Sequence, residues 1–157
     1  MKRLSFTLKA WPVITAATLL LCFLTQLVVG WFGIELPDQA NLTLVRQMAG
    51  MNWRFFLLCV QVLTLMPAIE ELVFRLPVRW LRHPAWWVAI SALFSAAHYA
   101  YQPFPDSAFI ALFFFGVAQC WLYRKTERIW CPMLNHALFN AANLILLFIL
   151  PPNPPTL

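Results

Sequence analysis

Apolar residues run along the chain in five long stretches, 11–34, 53–74, 85–100, 108–123 and 129–150, separated by short polar breaks. Each is close to the roughly 17–25 residues that carry a helix across a bilayer, the third and fourth only once their flanks are included. The pattern predicts an all-α fold: a polytopic membrane helix bundle of about five transmembrane helices, four of them forming a core. Tryptophans mark many of the ends (Trp11, Trp31, Trp53, Trp86, Trp87, Trp121 and Trp130), where an amphipathic ring prefers the headgroup level. The first run exceeds the roughly 7–15 residues of a signal-peptide apolar region, and no A-x-A cleavage pattern follows it, so it reads as an uncleaved helix. A single domain is expected over 1–157, with a first helix and external loop over 1–52, core helices over 53–150 and a Pro-rich tail over 151–157.

Composition supports the membrane reading. Of 157 residues, 62% are hydrophobic and 11% charged, with a mean hydropathy of +0.71; a soluble domain carries about one-quarter charged residues. The net charge of +5 suits anionic lipid, but its placement says more than its sum. Lys2, Arg3 and Lys9 precede the first run. Arg75, Arg79 and Arg82 lie between the second and third, and Arg124, Lys125 and Arg128 between the fourth and fifth. These groups fall on one side of a five-pass bundle, against Arg46 and Arg54 on the other. The N-terminus is therefore expected in the cytoplasm, and the tail "PPNPPTL" outside. The loop around 35–52 would then be external; its "NLT" triplet matches a glycosylation sequon, a frequent chance pattern. No basic stripe favours nucleic acid as a partner; the implied partner is the lipid bilayer. Cys22, Cys59, Cys120 and Cys131 stand singly, so neither a disulfide framework nor a zinc-ribbon spacing is expected.

Against this apolar background a few ionisable residues stand out. Of six acidic residues, Glu35, Asp38, Asp106 and Glu127 fall in expected loops, whereas Glu70 and Glu71 do not. A carboxylate in the bilayer costs about 2.5–3.5 kcal/mol on insertion scales and usually faces a bundle interior or a wet cavity. His98 and His136 also lie inside apolar runs, with Asn135, Asn140 and Asn143 as further polar positions. Glu71 and Arg75 share a helix face at i,i+4 and can pair; Glu70, about 100° away, is left to face something else. His136 and Asn140 also share a face, and Phe94 can pack beneath His98. Pro67 is expected to bend the second helix. Counted from the turn at His83–Pro84, Glu70 and His98 both lie about 20 Å deep. Counted from Glu127, Asn140 reaches the same depth and His136 lies one turn shallower, so four polar groups from three helices are expected near one level.

Such a set suits peptide-bond hydrolysis. Glu70 could act as general base on a water that His98 orients, with His136 and Asn140 donating to the oxyanion of a tetrahedral intermediate. Arg75 would hold Glu71. Neither HExxH nor a G-x-S nucleophile element occurs. Two histidines and a glutamate could in principle hold zinc.

In order, the segments "EELVFR" (70–75), "FSAAH" (94–98) and "HALFN" (136–140) match EExxxR, FxxxH and HxxxN. In this they resemble the CPBP family, the CAAX-protease and bacteriocin-processing or glutamic-type intramembrane proteases. The resemblance covers about half of the chain, 66–143, and leaves the first helix out. It implies that Glu70 and His98 activate water, that His136 and Asn140 form an oxyanion hole, that Glu71, Arg75 and Phe94 support the site, and that neither metal nor other cofactor is required. It further implies a membrane-associated protein or peptide substrate and a bacterial inner-membrane location. With about five helices, the chain is short beside the eight of the eukaryotic prenyl-protein endopeptidase, and nothing else in it points to a prenylated substrate. The same family accommodates a non-proteolytic alternative, bacteriocin immunity or stabilisation of a partner. A proton-relay transporter would be expected to show inverted repeats or broken helices; no repeat is visible.

Overall fold

The computed structural model describes residues 2–33, 52–81, 83–100 and 108–149. The loop with its NLT triplet, Arg46, Arg82, Asp106 and the tail 151–157 lie outside them. Every regular element among the described residues is helical, as the apolar pattern predicts.

Helix α1 spans Lys2–Trp31, 30 residues or about 45 Å. It starts well before the apolar run, because nothing ahead of Trp11 breaks a helix, so Lys2, Arg3 and Lys9 ride on its first turns. Its buried residues Thr7, Ile14, Thr15 and Thr18 lie on one stripe at helical spacing, facing the bundle. Hydroxyls on this side would be costly in hydrocarbon. Thr7, Thr18 and Thr25 instead donate to the carbonyls of Arg3, Ile14 and Leu21, each four residues back. Ile14 enters a cluster with Phe94, Phe115, Leu122 and Phe139, so the helix outside the motif region helps to build the core.

The second rod has four parts: α2 (Asn52–Val60), a π-helical turn (Gln61–Leu65), α3 (Met66–Arg75) and a 3-10 turn (Leu76–Arg79). Where a bend at Pro67 is expected, the helix carries a π turn just upstream. Pro67 has no N–H to give to the residue four back, and just upstream of it the ladder slips by one residue. The Met66 N–H bonds to the Gln61 carbonyl instead of to Val62, which leaves the Val62 carbonyl available for another partner.

Three further helices complete the bundle: α4 (Pro84–Ala97), α5 (Ala108–Thr126) and α6 (Trp130–Ile149). Among the described residues three rods are long and apolar enough to cross a bilayer, Lys2–Trp31, Trp53–Arg79 and Trp130–Ile149, while Pro84–Ala97 is apolar but shorter. The α5 helix lies inside the bundle: Phe115, Gly116, Gln119, Cys120, Leu122 and Tyr123 are all buried. There Gln119 donates to the Pro132 carbonyl at 3.2 Å and accepts from Asn135 at 3.1 Å, fixing α6 against α5 one residue before His136. All four cysteines are free thiols.

Helices α4 and α5 cross closely at a small-residue contact. A Cβ on Gly116 would meet the Ser91 Cβ at 2.9 Å and its Cα at 3.2 Å. Gly116→Ala is therefore expected to destabilise the protein by about 1–3 kcal/mol through overpacking, read as a lower melting midpoint in detergent. Adding Ser91→Gly should recover part of that loss; no recovery would place the strain elsewhere.

Candidate active site

Among the described residues the deepest charges are on α3. Glu71 and Arg75 are both fully buried, and the Arg75 Nε lies 3.0 Å from Glu71 Oε2, the i,i+4 pair expected from the sequence. The Arg75 guanidinium also stands 4.7 Å over the ring centre of Phe94, a cation–π contact in a desolvated setting. Glu71 has a second partner on α6: His136 Nδ1 is 2.9 Å from Glu71 Oε1. With a carboxylate as acceptor, that nitrogen carries the proton. Helical spacing within one segment could not show this contact, which depends on how α6 is turned relative to α3.

The next residue, Glu70, looks the other way. Its Oε2 is buried without a hydrogen bond and has two imidazoles beside it, His136 Nε2 at 3.7 Å and His98 Nε2 at 3.8 Å. Direct hydrogen bonds are about 2.7–3.2 Å long; these separations suit groups that share a bridging molecule. His98 caps the end of α4, and its Nδ1 is 2.8 Å from the Phe94 carbonyl. A carbonyl only accepts, so Nδ1 bears a proton, and Nε2 faces Glu70. The side chains of Glu70 and His98 are 18% and 26% exposed, against 5% for His136, so the site is open on the Glu70–His98 side.

Aromatic rings fix both imidazoles. Phe94 packs edge-on to His98 at 4.7 Å and to His136 at 6.0 Å, the supporting place expected for it. Phe115 lies 5.2 Å from His136 and stacks on Phe139 at 4.4 Å. Phe115 carried no distinguishing signal in sequence, being one of several phenylalanines on its helix.

Asn140 is placed differently from the depth estimate. Its Nδ2 donates to the Val62 carbonyl at 2.9 Å, the carbonyl released by the π turn. Val62 stands eight residues before Glu70, about 12 Å along an ideal rod. His136, rather than Asn140, is thus level with Glu70, because α6 enters the bundle deeper than a count from Glu127 allows. One Asn140 amide hydrogen is taken by Val62 and the second remains. Glu70, Glu71, His98 and His136 come together, with Asn140 one turn above His136. Among the described residues no three His, Cys, Asp or Glu side chains are grouped as a metal's ligands.

Comparison with known families gives one finding. A family model described as Type II CAAX prenyl endopeptidase Rce1-like matches residues 52–142, α2 through α6, a range that holds all three motifs. No characterised protein and no solved structure matches. The match takes in 91 of the 157 residues, among them every side chain placed around Glu70 above; the first helix and the residues after 142 lie outside it. This helical membrane protein belongs to the type II CAAX prenyl endopeptidase Rce1-like family, a family of peptidases.

Proposed function

We propose that the protein is an intramembrane endopeptidase of glutamic type that hydrolyses a peptide bond of a membrane-associated protein or peptide. The observation that carries this reading is the buried, unbonded Oε2 of Glu70 between two imidazole nitrogens at 3.7 and 3.8 Å. Glu70 acts as general base. A water between Oε2 and His98 Nε2 gives a proton to Glu70 as its oxygen attacks the scissile carbonyl. The C–O bond forms, and the carbonyl oxygen becomes an oxyanion. His136 and the second amide hydrogen of Asn140 donate to it. Since Nδ1–H of His136 is given to Glu71, Nε2 donates only when it too is protonated, and the Glu71 carboxylate beside it compensates that positive charge. Collapse breaks the C–N bond, and Glu70 returns its proton to the leaving amine. The products are a carboxylic acid, which gives its proton to the amine or to solvent, and an amine; the carboxylate–imidazole pair needs no metal for these steps.

The family description supports a CAAX-type peptidase, and the three long apolar rods support an integral membrane setting. The basic residues favour a cytoplasmic N-terminus and an external C-terminus. The test compares membrane proteomes of cells with and without the protein. A membrane-associated precursor should persist uncut in cells lacking it, and the purified protein should cut that precursor with a strong zinc chelator present. Inactivation by the chelator, reversed by added zinc, would replace this mechanism with a metal-dependent one. A survival or partner-stability phenotype with no uncut precursor would favour the immunity or partner-stabilising role.

A further inference from the structure

Apart from the Glu70 site, the bundle holds a cavity of about 370 Å³ lined by Arg79, Tyr123, Arg124, Glu127 and Arg128. Arg79 lies nine residues past Glu70, about 14 Å along the rod, so the cavity belongs to the basic end of the bundle. Its walls come from distant parts of the chain: Arg79 ends the 3-10 turn, and the other four close α5 and begin the turn to α6. Three guanidinium groups and one carboxylate thus converge on one space. Among the described residues, none of these four charges pairs with an opposite charge within 4.0 Å; the ion pairs found all lie around Glu70 and Glu71.

Two further observations bear on what fills it. Glu127 has φ +53°, the left-handed conformation that follows many helix ends and usually falls to glycine; a residue with a Cβ costs roughly 1–2 kcal/mol there. That turn, closed by the Glu127 N–H on the Tyr123 carbonyl at 2.7 Å, places a carboxylate beside the three arginines. Trp80 and Trp130 flank the same end and are 67% and 41% exposed, which sets this level at the headgroups. Topology alone does not demand the arrangement. A positive cytoplasmic end needs basic residues in the loops but no convergence, and the neighbouring Lys125 is exposed and does not line the cavity.

We infer that this cavity is a phospholipid headgroup site, with Arg79, Arg124 and Arg128 on the phosphate and Glu127 on the ammonium of phosphatidylethanolamine. Guanidinium groups match phosphate oxygens bidentately, and basic pockets between transmembrane helices at the cytoplasmic level bind lipid headgroups. A volume within the roughly 300–1,000 Å³ of ligand pockets holds the headgroup and leaves the acyl chains in the bilayer.

Native mass spectrometry of the full chain in detergent tests this, titrating phosphatidylethanolamine, phosphatidylglycerol and inorganic phosphate in turn. Saturable binding of phosphatidylethanolamine is expected. Arg124→Gln/Arg128→Gln should weaken it by about tenfold or more. Glu127→Gln should erase the preference over phosphatidylglycerol, and millimolar inorganic phosphate should leave the lipid bound. The control Lys2→Gln/Arg3→Gln/Lys9→Gln removes three charges from the same end, one more than the double variant, but none from the cavity, and should bind as wild type. Equal weakening by the control would reduce the effect to general surface charge and overturn the site. Binding of inorganic phosphate with the same arginine dependence, but no lipid binding, would overturn the lipid assignment. Should the double variant fail to fold, Arg79→Gln and Glu127→Gln alone decide, since both side chains are exposed; wild-type binding in both would overturn the proposal.

Discussion

Glu71→Gln is expected to lose activity and about 3–5 kcal/mol of stability together, the usual result of removing one partner from a buried ion pair. The amide keeps the size of the carboxylate but not its charge. Arg75, with no exposed surface, would then hold an uncompensated cation. Among the described residues its Nη atoms have no hydrogen-bond partner, and Glu71 and the Phe94 ring help to offset its burial. His136 would lose the negative charge at Nδ1 that supports a proton on Nε2. The two consequences can be separated. In Glu71→Gln/Arg75→Met the orphaned cation is gone and an apolar chain fills its space, so stability should largely return. Activity should not, because His136 still faces a neutral amide. Thermal melting in detergent and the rate of precursor cleavage read the two effects independently. Recovery of both in the double variant would show that the Glu71–His136 contact is structural alone.

Much of this site could be read from the sequence because it is helix geometry. The i,i+4 spacing of Glu71 and Arg75 predicts their pairing, and the turn of about 100° between neighbours predicts that Glu70 faces elsewhere. Equal counts from His83–Pro84 bring Glu70 and His98 to one depth, and both imidazoles do flank one carboxylate oxygen. What the pattern could not supply is the relative rotation and height of separate helices. The Glu71–His136 bond and the stacking of Phe115 on Phe139 depend on that rotation; the shift that sets His136 level with Glu70 depends on height. Asn140 shows how a local irregularity changes a role. Pro67 signals a disturbance in the second helix, but only the full backbone shows that the ladder slips by one residue and offers the Val62 carbonyl to Asn140. The first helix illustrates the reverse: its threonine stripe has helical spacing, yet hydropathy alone marks it as a lipid-facing span.

Glu70→Gln should lower peptide-bond cleavage by about 10²–10⁴-fold, the range for loss of a positioned general base, with the melting midpoint close to wild type. The contrast with Glu71 follows from geometry. Among the described residues Glu70 has no partner closer than 3.7 Å, and its side chain is 18% exposed, so an amide of the same shape leaves no buried charge unpaired. Glutamine accepts a hydrogen bond but cannot take a proton from water, so a substrate would bind and remain uncut. His98 Nε2 still faces the site in this variant, which makes the experiment discriminating. A cleavage rate near wild type would move the base to His98 and leave Glu70 as its orienting partner. A lost rate with accumulating protein and persistent precursor would fix the proton on Glu70. The non-proteolytic reading predicts a third pattern, since a binding role depends on the shape of the bundle and not on a transferable proton: Glu70→Gln would then keep the wild-type phenotype with no precursor to be found, and Glu71→Gln, which disturbs the shape, would abolish it.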